Sequence, residues 1–361
     1  VAYVGAIAWA PRLEHRVIWG AVVVLLVLFA SLPPLLSHDV YSYVDYARLG
    51  VLHGLDPYLH TPWAAPSDPA FAHVEWTEAT SAYGPLFTLA TYPLAWLPVG
   101  TAVYALKTAS ALAVFATATI VARLAPSRGV NPLRAAAFVA LNPLVLVHIV
   151  GGPHNDGVAV LLMTLGVAAM LAGRETSAGA SFIAAIAVKA SALITVPFAI
   201  TASLRPTGLK RESDSTVRPV GRFLVGAGVA ALAIGIAAYA AFGWHWLDVF
   251  ALVGENQGRT SHMSIPITAA RLTGIDPDIT RAIALVAFGL LVACLLLWTY
   301  RGGDWLRAAA WATTAMLLAT AWLLPWYLLW PLPLAALSRD VPLKLVLLAL
   351  TAYQLGARIP L

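Results

Sequence analysis

Apolar stretches of about 18 residues or more recur along this chain, each long enough to cross a bilayer core of about 30 Å as a helix. Only 11% of the 361 residues are charged and 60% are hydrophobic, with a mean hydropathy of +0.80. A soluble domain is typically about 25% charged, so a cytosolic globule is excluded and a polytopic, all-α membrane protein is predicted. The 13 Trp suit the two membrane interfaces, and the 24 Pro break helices where protein or a cavity can satisfy the backbone. Cys294 is the sole cysteine and lies within an apolar run, so there is no disulfide framework. The basic balance, with a pI of about 9.4, does not point to nucleic acid, because the Lys and Arg lie between hydrophobic segments. They report topology.

Val1 to Ala10 are apolar and lead into Pro11 and Arg12 without an initiator Met or basic n-region, so they read as the tail of an earlier helix in a longer protein. A first complete span is expected over Val17 to Leu36, with Arg12 and Arg16 on the cytoplasmic side. Residues 37–82 then form a first extracytoplasmic loop, followed by an interfacial segment over Gly84 to Pro98 and a span over Thr101 to Leu124. Ala135 to Val150 goes out, Gly151 to Asp156 turns, and Gly157 to Ala172 returns. Ser177 to Leu204 has basic residues at both ends, Arg174 on one side and Arg205, Lys210 and Arg211 on the other. At 1.5 Å per residue it cannot cross twice, which favours a half-depth hairpin. Phe223 to Phe242 goes out, 243–278 form a second large outer loop, and Ile279 to Tyr300 returns. Trp305 to Leu324, a proline-broken Pro325 to Leu337 and a last span over Leu343 to Leu355 complete a single transmembrane domain over 1–361.

On this map most of the Lys and Arg flank cytoplasmic loops, whereas of the nine His only His15 does. Function therefore faces outward. Nucleotide sugars and ATP are cytoplasmic, so a transferase at the outer face needs an activated donor carried by a lipid, which points to polyprenyl phosphates. Its chemistry is attack of an acceptor hydroxyl on an anomeric carbon, with a carboxylate taking the proton and cations stabilising the departing phosphate.

Asp39, directly after His38 at the mouth of the first span, is the leading base. The run from His38 to Arg48 lacks helix breakers and predicts a helix along the outer surface that keeps Asp39 near the lipid head groups. The plain alternative is that Asp39 caps that helix. Asp45 could bind an acceptor hydroxyl, although a solvated charge paired with Arg48 at i+3 is the favoured reading. His154, Asn155 and Asp156 follow paired glycines that permit a tight turn or close backbone approach; a helix N-cap is the competing use. Lys189 lies in so apolar a segment that a functional partner is the default expectation, here the donor phosphate. Lys107, Arg259 and His262 are further outer-side candidates for phosphate, with Arg271 and Arg281 as surface cations. Tyr41, Tyr43, Tyr58, Trp63, Trp76, Tyr83, Trp244 and Trp246 could stack on sugars or anchor the interface, and the stretch from Pro325 to Pro331 could line a groove for the lipid chain or mark an interfacial break. No convincing metal-ligand cluster is visible, the pairs His38 with Asp39 and His154 with Asp156 being the alternatives, and no cofactor is expected.

The long first loop opening on an acid, with Gly54-Leu55-Asp56-Pro57-Tyr58 and Tyr83-Gly84-Pro85-Leu86, resembles the glycosyltransferase-C superfamily. Together with Gly152-Pro153-His154-Asn155-Asp156, Val188-Lys189 and the Pro-Trp-Tyr stretch, it is similar to the actinobacterial polyprenol-phosphate-mannose-dependent α-1,6-mannosyltransferases of lipoglycan synthesis. The match rests on the order and spacing of these segments over most of the chain. It implies a glycosyltransferase-C-like helical bundle, a multi-pass plasma-membrane location, inverting transfer of mannose from a polyprenyl-phosphate donor to a mannan or lipoglycan acceptor, the first-loop acid Asp39 as base, and no general metal requirement. His38, Tyr41, Tyr43, Asp45, Tyr83, His154, Asn155 and Asp156 form the expected substrate-binding set. Two alternatives stay open: another sugar such as glucose or arabinose, or a lipid-linked sugar transporter, which would place charges along a path to both faces.

Overall fold

The computed structural model describes residues 1–204 and 218–356, with the backbone alone over 253–257. Arg205, Lys210 and Arg211, which flank the expected hairpin, lie outside the described residues. Among those described the architecture is entirely helical. Among the described residues three helices are long and apolar enough to cross a membrane, or four if one bent pair is counted as a span.

Helix α1 (Ala2–Trp9) packs beside α6 (Pro132–Ala140), and α2 (His15–Ser31) against α5 (Val99–Leu124). Between them lie α3 (Asp39–Leu52) and the short α4 (Pro85–Thr91), which cap one end of the bundle. After α6 come α7 (Asp156–Leu171), α8 (Glu175–Val188), α9 (Val196–Ser203) and α10 (Pro219–Phe242). The sequence α5–α7–α8–α10 forms a row of neighbours, and small residues set its spacing. A Cβ on Gly166 would meet the Phe182 ring, and Cβ atoms on Gly179 and Gly226 would strike the carbonyls of Phe223 and Thr176. Such close backbone approach supplies packing between helices in lipid, where no hydrophobic drive between them exists. The remaining helices are α11 (Asp248–Gly258), α12 (Ile265–Thr273), α13 (Pro277–Tyr300), α14 (Trp305–Ala319), α15 (Leu332–Ala336) and α16 (Val341–Gly356). The main core joins α2, α5–α9 and α14–α16. A second, built on Val40, Tyr43, Val44, Phe87, Ala102, Val103, Leu106, Ala159 and Val188, seals the cap to the bundle end.

Several expectations change. α7, α14 and α16 have 16, 15 and 16 residues and fall short of a full crossing as straight helices, and α2, with 17, is at the lower limit. Ala135 to Val150 is not one straight span: α6 ends at Ala140, Pro143 follows, and a π-helix over Val145–Gly151 leaves at a 61° bend. Proline cannot donate an i→i−4 bond and clashes with the preceding turn, and Asn142 Oδ1 instead accepts the Leu144 N–H at 2.9 Å.

The segment 177–204 turns back on itself as expected of a hairpin, but each arm runs the length of α7 and not half of it. α8 ends at Lys189, whose backbone is extended, and a 3₁₀ turn over Ala190–Thr195 leads into α9. Lys189 meets Asp156 at the start of α7, while Ser203 Oγ lies 3.8 Å from Met170 Sδ at its other end. The segment thus goes and returns within one side of the bundle. At the end opposite the cap, Arg307 pairs with Asp340 at 2.5 Å, Arg222 with Glu175 at 3.1 Å, and Arg128 with Asp304. Pro325 to Leu337 is broken as expected, into a 3₁₀ turn over Pro325–Leu329 and α15.

Polar side chains hold the first loop against the cap. Arg48 binds Asp68 at 2.8 Å and the Ala95 carbonyl at 2.9 Å, Tyr46 donates to Ala79 O at 2.8 Å, and Tyr58 to Tyr83 O at 2.8 Å. The second loop closes on the first through His245 and Asp56, 3.0 Å apart, and on the later turn through Ser261, which bonds Ala321 O and Leu323 O.

Candidate active site

Three chain segments far apart in sequence meet under the cap. The first follows α2, where Pro33 and Pro34 end the helix and Leu36 takes a left-handed φ of 56°, a conformation a leucine adopts only when its surroundings impose it. The second segment, the end of the π-helix, packs against the residue before Leu36. Leu35 N–H donates to Gly151 O at 3.1 Å, and a Cβ on Gly152 would stand 2.5 Å from Leu35 O. The paired glycines therefore serve close backbone approach. The third segment is the Lys189 break at the end of α8.

Asp39 opens α3 and Asp156 opens α7, yet neither helix has a side-chain cap bond. Their carboxylates turn toward one another's neighbours instead. Asp39 Oδ1 accepts from Trp76 Nε1 at 3.3 Å, and Oδ2 lies 3.5 Å from His154 Nδ1. Asp156 is fully buried and both of its oxygens are engaged, Oδ2 by Lys189 Nζ at 2.7 Å and Oδ1 by Trp330 Nε1 at 2.6 Å. Lys189 also reaches Asn155 Oδ1 at 3.4 Å and lies over the Tyr327 ring at 5.6 Å. Asn155 Nδ2 donates to Val188 O at 3.4 Å, which ties the turn to the break in α8. Lys189 remains partly exposed, with a side-chain exposure of 22%.

Burial pushes the Asp39 carboxyl above the ordinary carboxylate range; Lys189 and the Trp76 N–H oppose this, and Asp156 and Glu75 add to it. Burial, Lys189 and His148 hold His154 well below the usual histidine range. His154 is thus a neutral imidazole beside Asp39, and its contact is not an ion pair.

The remaining sequence candidates divide by position. His38 is half exposed and bonds Glu75 at 2.5 Å, and Tyr41 stacks on His73 at 4.9 Å and has His38 as its other ring contact at 5.9 Å. Tyr43 does not present a face to a cleft: it is buried edge-on to Tyr83 and Phe87, and its hydroxyl accepts the Asn155 N–H at 3.4 Å, while Tyr83 is half-buried. Asp45 departs from the reading of a solvated charge paired with Arg48. It is 1% exposed, and Arg48 turns to Asp68 because that carboxylate is presented by the folded loop. Lys107 is fully buried with its ammonium on the carbonyls of Val150 and Gly151, at 3.2 and 2.5 Å, where it satisfies the π-helix end. Arg259 lies between Trp76 and Trp322, at 5.1 and 5.3 Å from their rings. The His262 carbonyl accepts from Arg271 and Thr268. Arg281 pairs with Asp278.

Trp76, Trp326 and Trp330 carry more of the site than the sequence suggested. Trp326 stacks on His154 at 3.8 Å and 18°, and Trp330 stacks on Tyr327 at 4.2 Å. A signal was available, since a buried indole needs an acceptor and Trp326 and Trp330 are four residues apart in a proline-bounded stretch.

A bundle of apolar helices with two carboxylates, a lysine and a neutral histidine gathered under a polar cap defines a membrane protein with a polar site at one end. Residues 2–205 match the family model described as alpha-(1->6)-mannopyranosyltransferase, N-terminal domain, and the chain belongs to this family. Residues 268–355 match the MptB C-terminal domain. The chain is 34% identical over 349 residues to alpha-(1->6)-mannopyranosyltransferase A of Mycobacterium tuberculosis, covering 89% of this chain and 64% of that protein. It is 27% identical over 352 residues to the protein of the same name from Corynebacterium glutamicum, covering 87% of this chain and 69% of that one. The chain thus spans about two thirds of the length of these relatives. No solved structure matches it.

Proposed function

We propose that the protein is an inverting mannosyltransferase that moves mannose from a polyprenyl-phosphate donor to a hydroxyl of a growing mannan or lipoglycan. In this reading it is a glycosyltransferase-C-like bundle of the plasma membrane whose capped end faces outward. The observation that carries the reading is that Asp39 lies 3.5 Å from His154, whose turn also carries Asp156 paired with Lys189 at 2.7 Å, under one cap. The names of the relatives supply the sugar and the linkage.

In the transfer, the acceptor oxygen attacks the anomeric carbon and its proton passes to an Asp39 oxygen. The bond from that carbon to the phosphate oxygen breaks, the electron pair stays on the phosphate, and polyprenyl phosphate leaves. Attack opposite the leaving group turns a β-linked donor into an α-linked product. Lys189 meets the charge growing on the phosphate, where fixed positive charge in a water-poor site acts strongly. Asp156 holds Lys189 in place and is too fully engaged to be a base itself. Lys107 supports the turn that carries these residues, and Arg259, which lies over the Trp76 ring beside Asp39, and His262 are the further candidates for the donor phosphate.

Asp39→Asn tests the base. A positioned carboxylate contributes about 10²–10⁴-fold, and because Asp39 makes no cap bond the variant should remain folded. Transfer from polyprenyl-phosphate mannose should fall by that factor, and transfer near the parent rate would refute the role. Polyprenyl-phosphate glucose and arabinose, assayed alongside, distinguish the sugar; lipid-linked sugar moved across vesicles without transfer would favour a transporter.

A further inference from the structure

Resting on the reading of Asp39 as the base, we infer that His154 is its positioning residue: a neutral imidazole that donates Nδ1–H to Asp39 Oδ2 and aims the carboxylate at the acceptor hydroxyl.

Three observations carry this. The ring is 1% exposed and lies face to face with Trp326, so its plane is fixed. Its backbone is fixed too, since Gly152 lies against the Leu35 carbonyl two residues earlier and Asn155 is tied to Tyr43 and Val188 one residue later. Finally, neither ring nitrogen has an aligned hydrogen-bond partner, although Nδ1 stands 3.5 Å from the carboxylate. A buried polar atom left in this way is costly, and a phenylalanine would stack on Trp326 without that cost. A ring that carries a donor at the edge of bonding distance to the base fits a contact completed when substrate closes the site, as catalytic hydrogen bonds often lengthen in the empty state. Trp76 addresses the other oxygen, so the carboxylate is held from the loop on one side and from the bundle on the other.

The role is donation and not proton storage. Burial, Lys189 and His148 keep the imidazole neutral, so the acceptor proton stays on Asp39. The charged and titratable groups facing Asp39 are Glu75 from the loop, Asp156 and Lys189 from the bundle, and the phenols of Tyr43, Tyr46, Tyr83 and Tyr327. None of these is removed by a change at His154. Because an N–H donor favours the ionised carboxylate, losing it should raise the pH at which Asp39 becomes a base.

The experiment uses the full chain in detergent with polyprenyl-phosphate mannose. His154→Phe keeps the stack and removes the donor; His154→Asn carries an amide N–H near the Nδ1 position. For His154→Phe, kcat should fall by about 10-fold to 10²-fold with little change in donor KM, and the acid limb of the pH profile should move to higher pH. His154→Asn should restore both toward the parent. An unmoved acid limb in His154→Phe, or equal impairment of the two variants, overturns the inference. If Asp39→Asn is inactive while His154→Phe behaves as the parent, only the positioning role fails; if Asp39→Asn is active, the base assignment fails first.

Discussion

Trp330 donates its indole N–H to Asp156 at 2.6 Å across 174 residues of chain, and so completes a carboxylate whose other oxygen holds Lys189 at 2.7 Å. A buried carboxylate is tolerated only when paired and hydrogen-bonded. The aromatic stretch after α14 is therefore coupled to the cation on α8 through one acid on α7.

Trp330→Phe should keep the stack on Tyr327 and lose one charge-assisted hydrogen bond. The expected cost is about 1.5–3 kcal/mol of stability, with a higher donor KM because Asp156 no longer holds Lys189 in one place. Thermal unfolding in detergent and donor titration measure the two effects. Unchanged stability would mean that the indole N–H is satisfied elsewhere.

Gly152→Ala tests the close approach that shapes the site. The added Cβ would stand 2.5 Å from the Leu35 carbonyl oxygen, and a backbone atom cannot swing away as a side chain can. Overpacking of this kind costs about 1–3 kcal/mol, and a shift of the 35–39 segment should lower kcat by about 10-fold or more. Steady-state kinetics and a melting curve check this; parent-like values for both would show that the segment yields freely.

Asp45 gives a stability signature that depends on pH. Its burial, with Asp68 adding to the effect, pushes its carboxyl up to about 7. The folded state then binds more protons than the unfolded chain between about pH 4 and pH 7, so this group's contribution to stability falls as pH rises through that window. Asp68 runs the other way. Its burial works against ionisation, but Arg48, the Ala70 N–H and His53 outweigh it and hold the group below the usual range. Asp45→Asn should therefore melt above the parent at pH 8, with the advantage shrinking toward pH 5. An advantage of the same size at both pH values would show that Asp45 does not titrate there.

The helical class, the helix from Asp39, the turn back around Lys189 and the proline-broken stretch before Leu337 were legible because each rests on local rules: apolar length, absence of breakers, and charge flanks. Asp39, His154, Asn155, Asp156 and Lys189 could be picked out for a similar reason, since polar side chains are conspicuous in so apolar a chain. Their grouping could not. Nothing local distinguishes Lys107, which supports two carbonyls, from Lys189, which faces the cap, because both are lysines in apolar helices.

The π-helix and its 61° bend escaped because a proline announces a break but not the path after it. Asp45 was misread because i+3 spacing offers Arg48 a partner, whereas the folded loop offers Asp68 with better geometry. Sequence by itself determined that these helices must be buried in lipid or in one another, since transfer of apolar surface depends on composition and length. Only the tertiary structure decided that Trp330, Asp156 and Lys189 form one network and that His154 meets Asp39, because hydrogen bonds act over about 3 Å and that proximity is set by packing between segments up to 174 residues apart.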